Sequence, residues 1–500
     1  MPSTFKLGIP GILPDDMWVE VYRYLEIIYI VRSARACRYL NDLIKQKSIW
    51  INAISSQIYG QDLRLPGLDL ETPIADYHVD DLRDMTTRAI KLSLNLISPT
   101  PRPRNKLDIP LQGKSHVTHV FLIHGEEGTN WLLVSTAAKF ISCYEVLKHP
   151  LDLLPASSWD SREKFVLEVV RDKSALPSAC ILGVTLKEPR EEIYRTLIIR
   201  VTDLKAGAIP KFNVIQTVEN AESGRPYLIR GDYIVMWRTR RKICTVINWR
   251  TGGRQEFNLL SVDHPMAGPE TAEQCCAVEL TQTSLIMVTT NFRTTWAFMG
   301  SFTDPSSAPI LPTFQIQMTG IRSASIVHSS LTSPLLDNLP DKSLSVAAFL
   351  ILKKEMTKME RTFFELLVQH EGVNSEWKVY PLYPLETVRD RPISPYIQAI
   401  VLGSSGRGVV MERARTSGGS DSSISVSRLR IYDIAGHHIG VATTIDSRAF
   451  KRESHDSAER DLGPLLSSDT PLKTNCFDYD DAEGRIVVGA NGLLRIIEYV

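Results

Sequence analysis

Residues Gly231 to Gly253 read GDYIVMWRTRRKICTVINWRTGG. Tyr233 to Trp237 and Ile243 to Trp249 are short runs of β-branched and aromatic residues; a polar turn joins them, and Arg250-Thr251-Gly252-Gly253 follows where a hairpin needs positive φ angles. Gly484 to Tyr499, GRIVVGANGLLRIIEY, repeats the scheme of turn, apolar strand, short polar turn and apolar strand. Comparable runs recur from about residue 105 onward, among them His119 to His124, Phe165 to Arg171, Ile193 to Val201, Val346 to Leu352, Phe363 to Gln369 and Ser427 to Tyr432. Such a length of meandering strands exceeds one sandwich and suits radial repetition of four-stranded sheets. At roughly 40 to 50 residues per repeat the expectation is a single large β-propeller of residues 105–500, seven blades favoured and six to eight possible. A tandem pair of sandwiches is the competing reading.

A propeller closes when one sheet draws strands from both ends of the chain, and Leu107 to Leu111 could supply the outer strand to the sheet ending at Tyr499. Three Ser-rich stretches, near 322–342, 415–427 and 447–470, carry few large apolar residues and read as flexible insertions. Ahead of the β region the period is helical. Leu82, Met85, Ala89, Leu92 and Leu96 mark an amphipathic helix over 80–97. Ser98-Pro99-Thr100-Pro101-Arg102-Pro103 then forbids helix, so 59–104 reads as a linker with one helix and a Pro-rich connector. Residues 14–58 look helical, with Pro14 suited to a helix start and Asp15 and Asp16 on the positive end of the dipole. The fold class is thus mainly β, a small all-α module of residues 1–58 preceding a large β-propeller.

Lys plus Arg and Asp plus Glu each number 57, so no global field favours nucleic acid or acidic lipid as a partner. The N-terminal residues lack a basic start with an apolar core, and the longest apolar run, Val346 to Leu352, is far too short to span a bilayer. Seven Cys without repeated spacing suit a reducing compartment, and no membrane is expected as a partner. The expected location is cytoplasmic, nuclear or both.

Leu13-Pro14-Asp15-Asp16-Met17-Trp18-Val19-Glu20-Val21-Tyr22-Arg23-Tyr24-Leu25 resembles the opening of an F-box. Ile30 and Val31 match the middle apolar pair of that family, Ala36-Cys37-Arg38-Tyr39-Leu40 its small-Cys-Arg stretch, and Ser48-Ile49-Trp50 its closing Ser-Leu-Trp. The resemblance implies helices that bind the Skp adaptor of a cullin-RING ubiquitin ligase of the SCF type, with the downstream repeat domain capturing the protein to be ubiquitylated. It implies an adaptor-facing set of Leu13, Pro14, Met17, Val21, Leu25, Ile30, Val31 and Trp50. The family usually has Asp-Pro at the turn after the first helix; here Glu26-Ile27 stands there, which predicts a weaker helix break. Independently, 45 helical residues cannot bury all their apolar faces, so some of that surface must meet a neighbour.

Catalytic motifs are not evident. Gly403-Ser404-Ser405-Gly406-Arg407-Gly408 lacks the Lys-Ser/Thr ending of a phosphate loop and reads as a hairpin turn. Adjacent His437 and His438 point to opposite faces of a strand and cannot share a metal. Neither metal nor cofactor is expected, and the chain reads as non-catalytic. Arg238, Arg240, Arg241 and Lys242, in Trp237-Arg238-Thr239-Arg240-Arg241-Lys242, form the sharpest basic cluster and could hold an acidic or phosphorylated segment of the target; an ordinary solvated turn is the plain alternative. The main reading is therefore a substrate receptor. A propeller scaffold without ligase involvement and a propeller hydrolase are the alternatives.

Overall fold

The computed structural model describes residues 13–58, 65–66, 73–97, 103–111, 116–136, 139–146, 154–162, 164–172, 179–187, 194–220, 224–238, 243–258, 482–484 and 499, together with the strands given below. They group into two compact units. One comprises Met1–Asn105, Asp480–Arg485 and Glu498–Val500, the other Lys106–Tyr479 and Ile486–Ile497.

The first unit is helical: α1 Asp15–Arg23, α2 Ile27–Ser33, α3 Arg38–Leu43, α4 Lys47–Ala53 continued by a π-helical turn Ile54–Ile58, and α5 Val79–Ile97. Tyr22, Ile27, Ile30, Leu43, Ile44, Ile49, Trp50, Ala53, Ile54 and Ile58 form one core with Leu82, Met85 and Ala89 of α5. The predicted amphipathic helix is thus α5, and it closes the core of the preceding helices because their short span leaves an apolar face for it to cover. Trp50, fully buried, donates its indole N–H to the carbonyl of Ile44 at 2.7 Å.

The far end of α5 meets the two late pieces of chain in this unit. Arg88 pairs with the buried carboxylate of Glu483 at 2.9 Å, Asn95 donates to the carbonyl of Tyr499 at 2.8 Å, and Leu92 lies over Gly484. Gly484 has φ +64, which a side chain would strain.

In the β region the described strands form seven four-stranded antiparallel sheets. Sheet one is Val117–His124, Asn130–Thr136, Phe140–Glu145 and Ser157–Asp160; sheet two is Phe165–Arg171, Ala179–Lys187, Tyr194–Thr202 and Lys211–Asn220. Sheet three is Arg225–Arg230, Tyr233–Arg238, Ile243–Asn248 and Arg254–Asn258; sheet four is Gln274–Leu280, Ser284–Thr290, Thr294–Ser301 and Phe314–Thr319. Sheet five is Ile321–Ser329, Leu344–Lys354, Met359–Gln369 and Trp377–Val388; sheet six is Tyr396–Leu402, Arg407–Arg415, Ser425–Asp433 and Ile445–Asp446. Sheet seven takes Cys476–Asp480, Arg485–Ala490 and Leu493–Glu498 from the end of the chain, and its fourth strand is Asn105–Pro110. This is the closure the sequence suggested. Arg495, nearly inaccessible, clamps it by gripping Asp108 through two bonds of 2.5 and 2.6 Å.

First strands of successive sheets lie side by side from sheet one through sheet six, the packing of a propeller-like array. Each of these six first strands carries a register shift near its start, at Val117/His119, Val166/Glu168, Pro226/Leu228, Cys275/Ala277, Ile321/Ala324 and Ile397/Ala399. An extra residue there sharpens the local twist. Polar bonds tie neighbouring first strands or the residues just after them: Asp478 accepts from the N–H of Leu122 at 2.8 Å, Asp172 from that of Gly231 at 2.8 Å, and His119 Nε2 meets Glu168 at 3.0 Å.

The expected insertion near 322–342 starts too early, because Ile321–Ser329 is the first strand of sheet five. Its Ser-rich sequence hides this; the next strand, rich in apolar side chains, pairs with it from Val346 to Lys353 and holds it extended. Likewise 425–427 belong to a strand. Residues 330–342, 416–424 and 447–470, with His437 and His438, lie outside the described residues. Arg407–Arg415 pairs antiparallel with Tyr396–Leu402, and residues 403–406 of the Gly-rich stretch lie outside the described residues.

Cys143, Cys180 and Cys244 are buried, and burial pushes their thiols up, those of Cys180 and Cys244 to about 12. The neutral thiol is favoured in the fold. That stabilisation is therefore complete below the ordinary thiol pKa, about 8.5, and is lost as pH rises from there toward 12. A maleimide is expected to leave these three sites unlabelled at neutral pH until denaturant is added, as read by peptide mapping.

Candidate functional site

On α1, Trp18, Val19 and Tyr22 turn toward the core, while Pro14, Met17, Val21 and Tyr24, spaced three, four and three residues apart, lie along one exposed stripe. Met17 is 51% and Tyr24 79% exposed, although the core beneath is already filled. Asp16 and Glu20 flank the stripe with charge, Glu20 pairing loosely with Arg23 at 3.5 Å. Asp15 accepts a hydrogen bond from the phenol of Tyr39 at 2.5 Å, tying α3 to the start of α1 and holding that phenol up to about 12. Tyr29, exposed on α2, lies under the guanidinium of Arg32, 5.8 Å from its ring centroid.

The eight residues assigned to a partner-facing set separate into three groups. Pro14, Met17 and Val21 form the stripe, with Leu13 partly covered beside them. Leu25 and Val31 are half-buried against the core. Ile30 and Trp50 are fully buried within it, their apolar bulk packed in the module's own interior. Tyr24 extends the exposed stripe and Leu25 does not: helical spacing from Val21 points equally to both, and only packing separates them.

The turn after α1 also departs from expectation. The helix breaks cleanly at Tyr24 to Glu26, Glu26 being extended at φ −60 and ψ 145. Gln57, on the π-helical turn, accepts from the N–H of Ile27 at 2.9 Å and donates to the carbonyl of Leu25 at 2.6 Å. A proline would have no N–H to satisfy; here a side-chain amide satisfies it. Replacing Gln57 by Ala is expected to cost about 1 to 3 kcal/mol by stranding the buried N–H of Ile27, measurable by urea denaturation.

In the β region, Arg238 pairs with Glu256 at 3.3 Å and is largely covered, so it is not a loose turn cation; Arg240, Arg241 and Lys242 lie outside the described residues. Of the polar side chains on first strands, Arg171 reaches the carbonyl of Leu122 and stands 3.7 Å from Asp478. These groups are engaged in joining sheets. Among the described residues no cluster of His, Cys, Asp and Glu could hold a metal, and no helix is long and apolar enough to cross a membrane.

A small helical module with one unfilled apolar stripe, followed by a large region of four-stranded antiparallel sheets, is the class of protein these features define. Residues 12–52 match the F-box domain family, and the chain carries an F-box domain there. A search of curated proteins found no match. Similar solved structures include the N-terminal domain of Nup159, at 9% identity over 80% of this chain and 97% of that one, with a TM-score of 0.32. An S. cerevisiae complex of Dbp5 with Nup159 and Gle1 is also similar, at 10% identity over 79% of this chain and 94% of that one, with a TM-score of 0.35.

Proposed function

We propose that the chain is the substrate-recognition subunit of an SCF-type ubiquitin ligase. The stripe of Pro14, Met17, Val21 and Tyr24, with Leu13 beside it, docks a Skp-type adaptor, and through it a cullin-RING ligase. The β region, read as a seven-bladed propeller, holds the target protein. The chain itself supplies proximity and no catalytic group, and it works in the cytoplasm, the nucleus or both. One observation carries the reading: an F-box domain keeps an apolar stripe in water after its own core is complete. Burying two such side chains against a partner is worth roughly 1.5 to 3 kcal/mol each. Co-expression of the full chain with a Skp-type adaptor tests it. The expected result is a stoichiometric complex on gel filtration that also retains a cullin; two separate peaks would discard the ligase role.

A further inference from the structure

Two turns at the junction of sheets one and two carry exposed aromatic and cationic side chains close together. Phe140 and Phe165, which open strands in adjoining sheets, are 42% and 44% exposed. Lys139 places its ammonium over the ring of Phe165, 5.2 Å from the centroid. Lys139 and Arg162 have φ 75 and 63, and among the described residues Asp203 alone joins them as a non-glycine at positive φ. Side chains are seldom held in that region unless the surrounding structure imposes it. Here Ser161 imposes it: its N–H donates to the carbonyl of Lys139 at 3.1 Å, and its buried hydroxyl donates to the carbonyl of Lys164 at 2.5 Å. The first of these bonds joins the two turns into one ledge.

Among the described residues the charge on this ledge is mainly positive. Lys139, Arg162 and Lys164 are joined by Lys187, which stands opposite Phe165 in the pairing of sheet two. Asp160 stands opposite Phe140, and one of its oxygens accepts from the backbone N–H of Arg162 at 2.7 Å; Glu163 lies outside the described residues. Among the described residues neither Lys139 nor Arg162 has an ion-pair partner.

We infer that Lys139, Phe140, Arg162 and Phe165 form a docking surface for an acidic polypeptide segment that carries an apolar or aromatic anchor. The partly exposed phenyl rings offer the anchor apolar surface, and the neighbouring cations meet carboxylates. A long polyanion is a poorer fit, because the chain has no net charge and the basic ledge is local. For the receptor reading this names the class of target, and it rests on that reading only in calling the bound segment a target.

Fluorescence anisotropy with the full chain tests the inference. The probe is a short labelled peptide of Glu and Asp around a single Trp; the controls are the same peptide with Lys for the acids, the same peptide with Ala for Trp, and an oligothymidylate. The acidic Trp peptide should bind at least about tenfold more tightly than any control. Arg162→Gly removes the guanidinium where the backbone already suits glycine, so misfolding cannot explain a loss, and it should weaken binding about tenfold, as should Phe165→Ser. Equal binding of the control peptides, tighter binding of the oligonucleotide, or unchanged affinity in Arg162→Gly would overturn it. No adaptor is needed, so an absent peptide signal beside intact adaptor capture removes this inference alone, and the reverse pattern removes the ligase reading.

Discussion

Met17→Asp is expected to weaken capture of a Skp-type adaptor by more than about a hundredfold while leaving the melting temperature unchanged. Met17 is half exposed in the middle of the α1 stripe, and its side chain is not part of the module's core. The substitution removes roughly 1.5 to 3 kcal/mol of apolar burial at the interface and places a carboxylate where nothing pairs with it. Asp in the first turn of a helix is favourable to the dipole, so folding has no reason to suffer. Trp50→Ala is the control with the opposite logic. It empties the core and should cost about 3 to 5 kcal/mol, losing adaptor and fold together. If Met17→Asp still captured the adaptor at wild-type strength, the stripe would not be the docking face.

Gly484→Val is expected to destabilise the helical unit by about 2 to 5 kcal/mol, from two separable sources. At φ +64 a side chain clashes with its own backbone, worse when branched at Cβ. A Cβ there would also stand 2.3 Å from Cδ1 of Leu92, so α5 would have to shift. Pairing Gly484→Ala with Leu92→Ala isolates the second source: the coupling energy should be favourable, yet the φ penalty should persist. Urea denaturation followed by far-ultraviolet circular dichroism reads both. A Gly484→Val chain within about 0.5 kcal/mol of the parent would show that this contact is not held.

The sequence was most legible where period and chemistry coincide. The spacing of Leu82, Met85, Ala89 and Leu92 yields α5 directly, and the paired runs Tyr233 to Trp237 and Ile243 to Trp249 are adjacent strands of sheet three. Outer strands were hard to read. Ser157–Asp160, SSWD, has no alternating pattern and is extended only because Phe140–Glu145 offers it hydrogen bonds. The recurring register shift in the first strands was likewise invisible, since each follows from pairing with a neighbour and the six extra positions share no residue type.

For the candidate site, motif and helical period selected α1 and its leading residues Pro14, Met17 and Val21. Packing decided the remainder. Ile30 and Trp50 belong to the interior, Tyr24 and not Leu25 extends the stripe, and Gln57, about thirty residues downstream, secures the turn that a proline usually makes. Sequence alone determined that a helical F-box-like module precedes a β region built of repeated sheets, because hydrophobic period is a local property of the chain. Which apolar side chains stay in water, which glycine lies under α5, and which turns interlock at sheets one and two were decided by tertiary structure, because each depends on residues far apart in sequence competing for the same space.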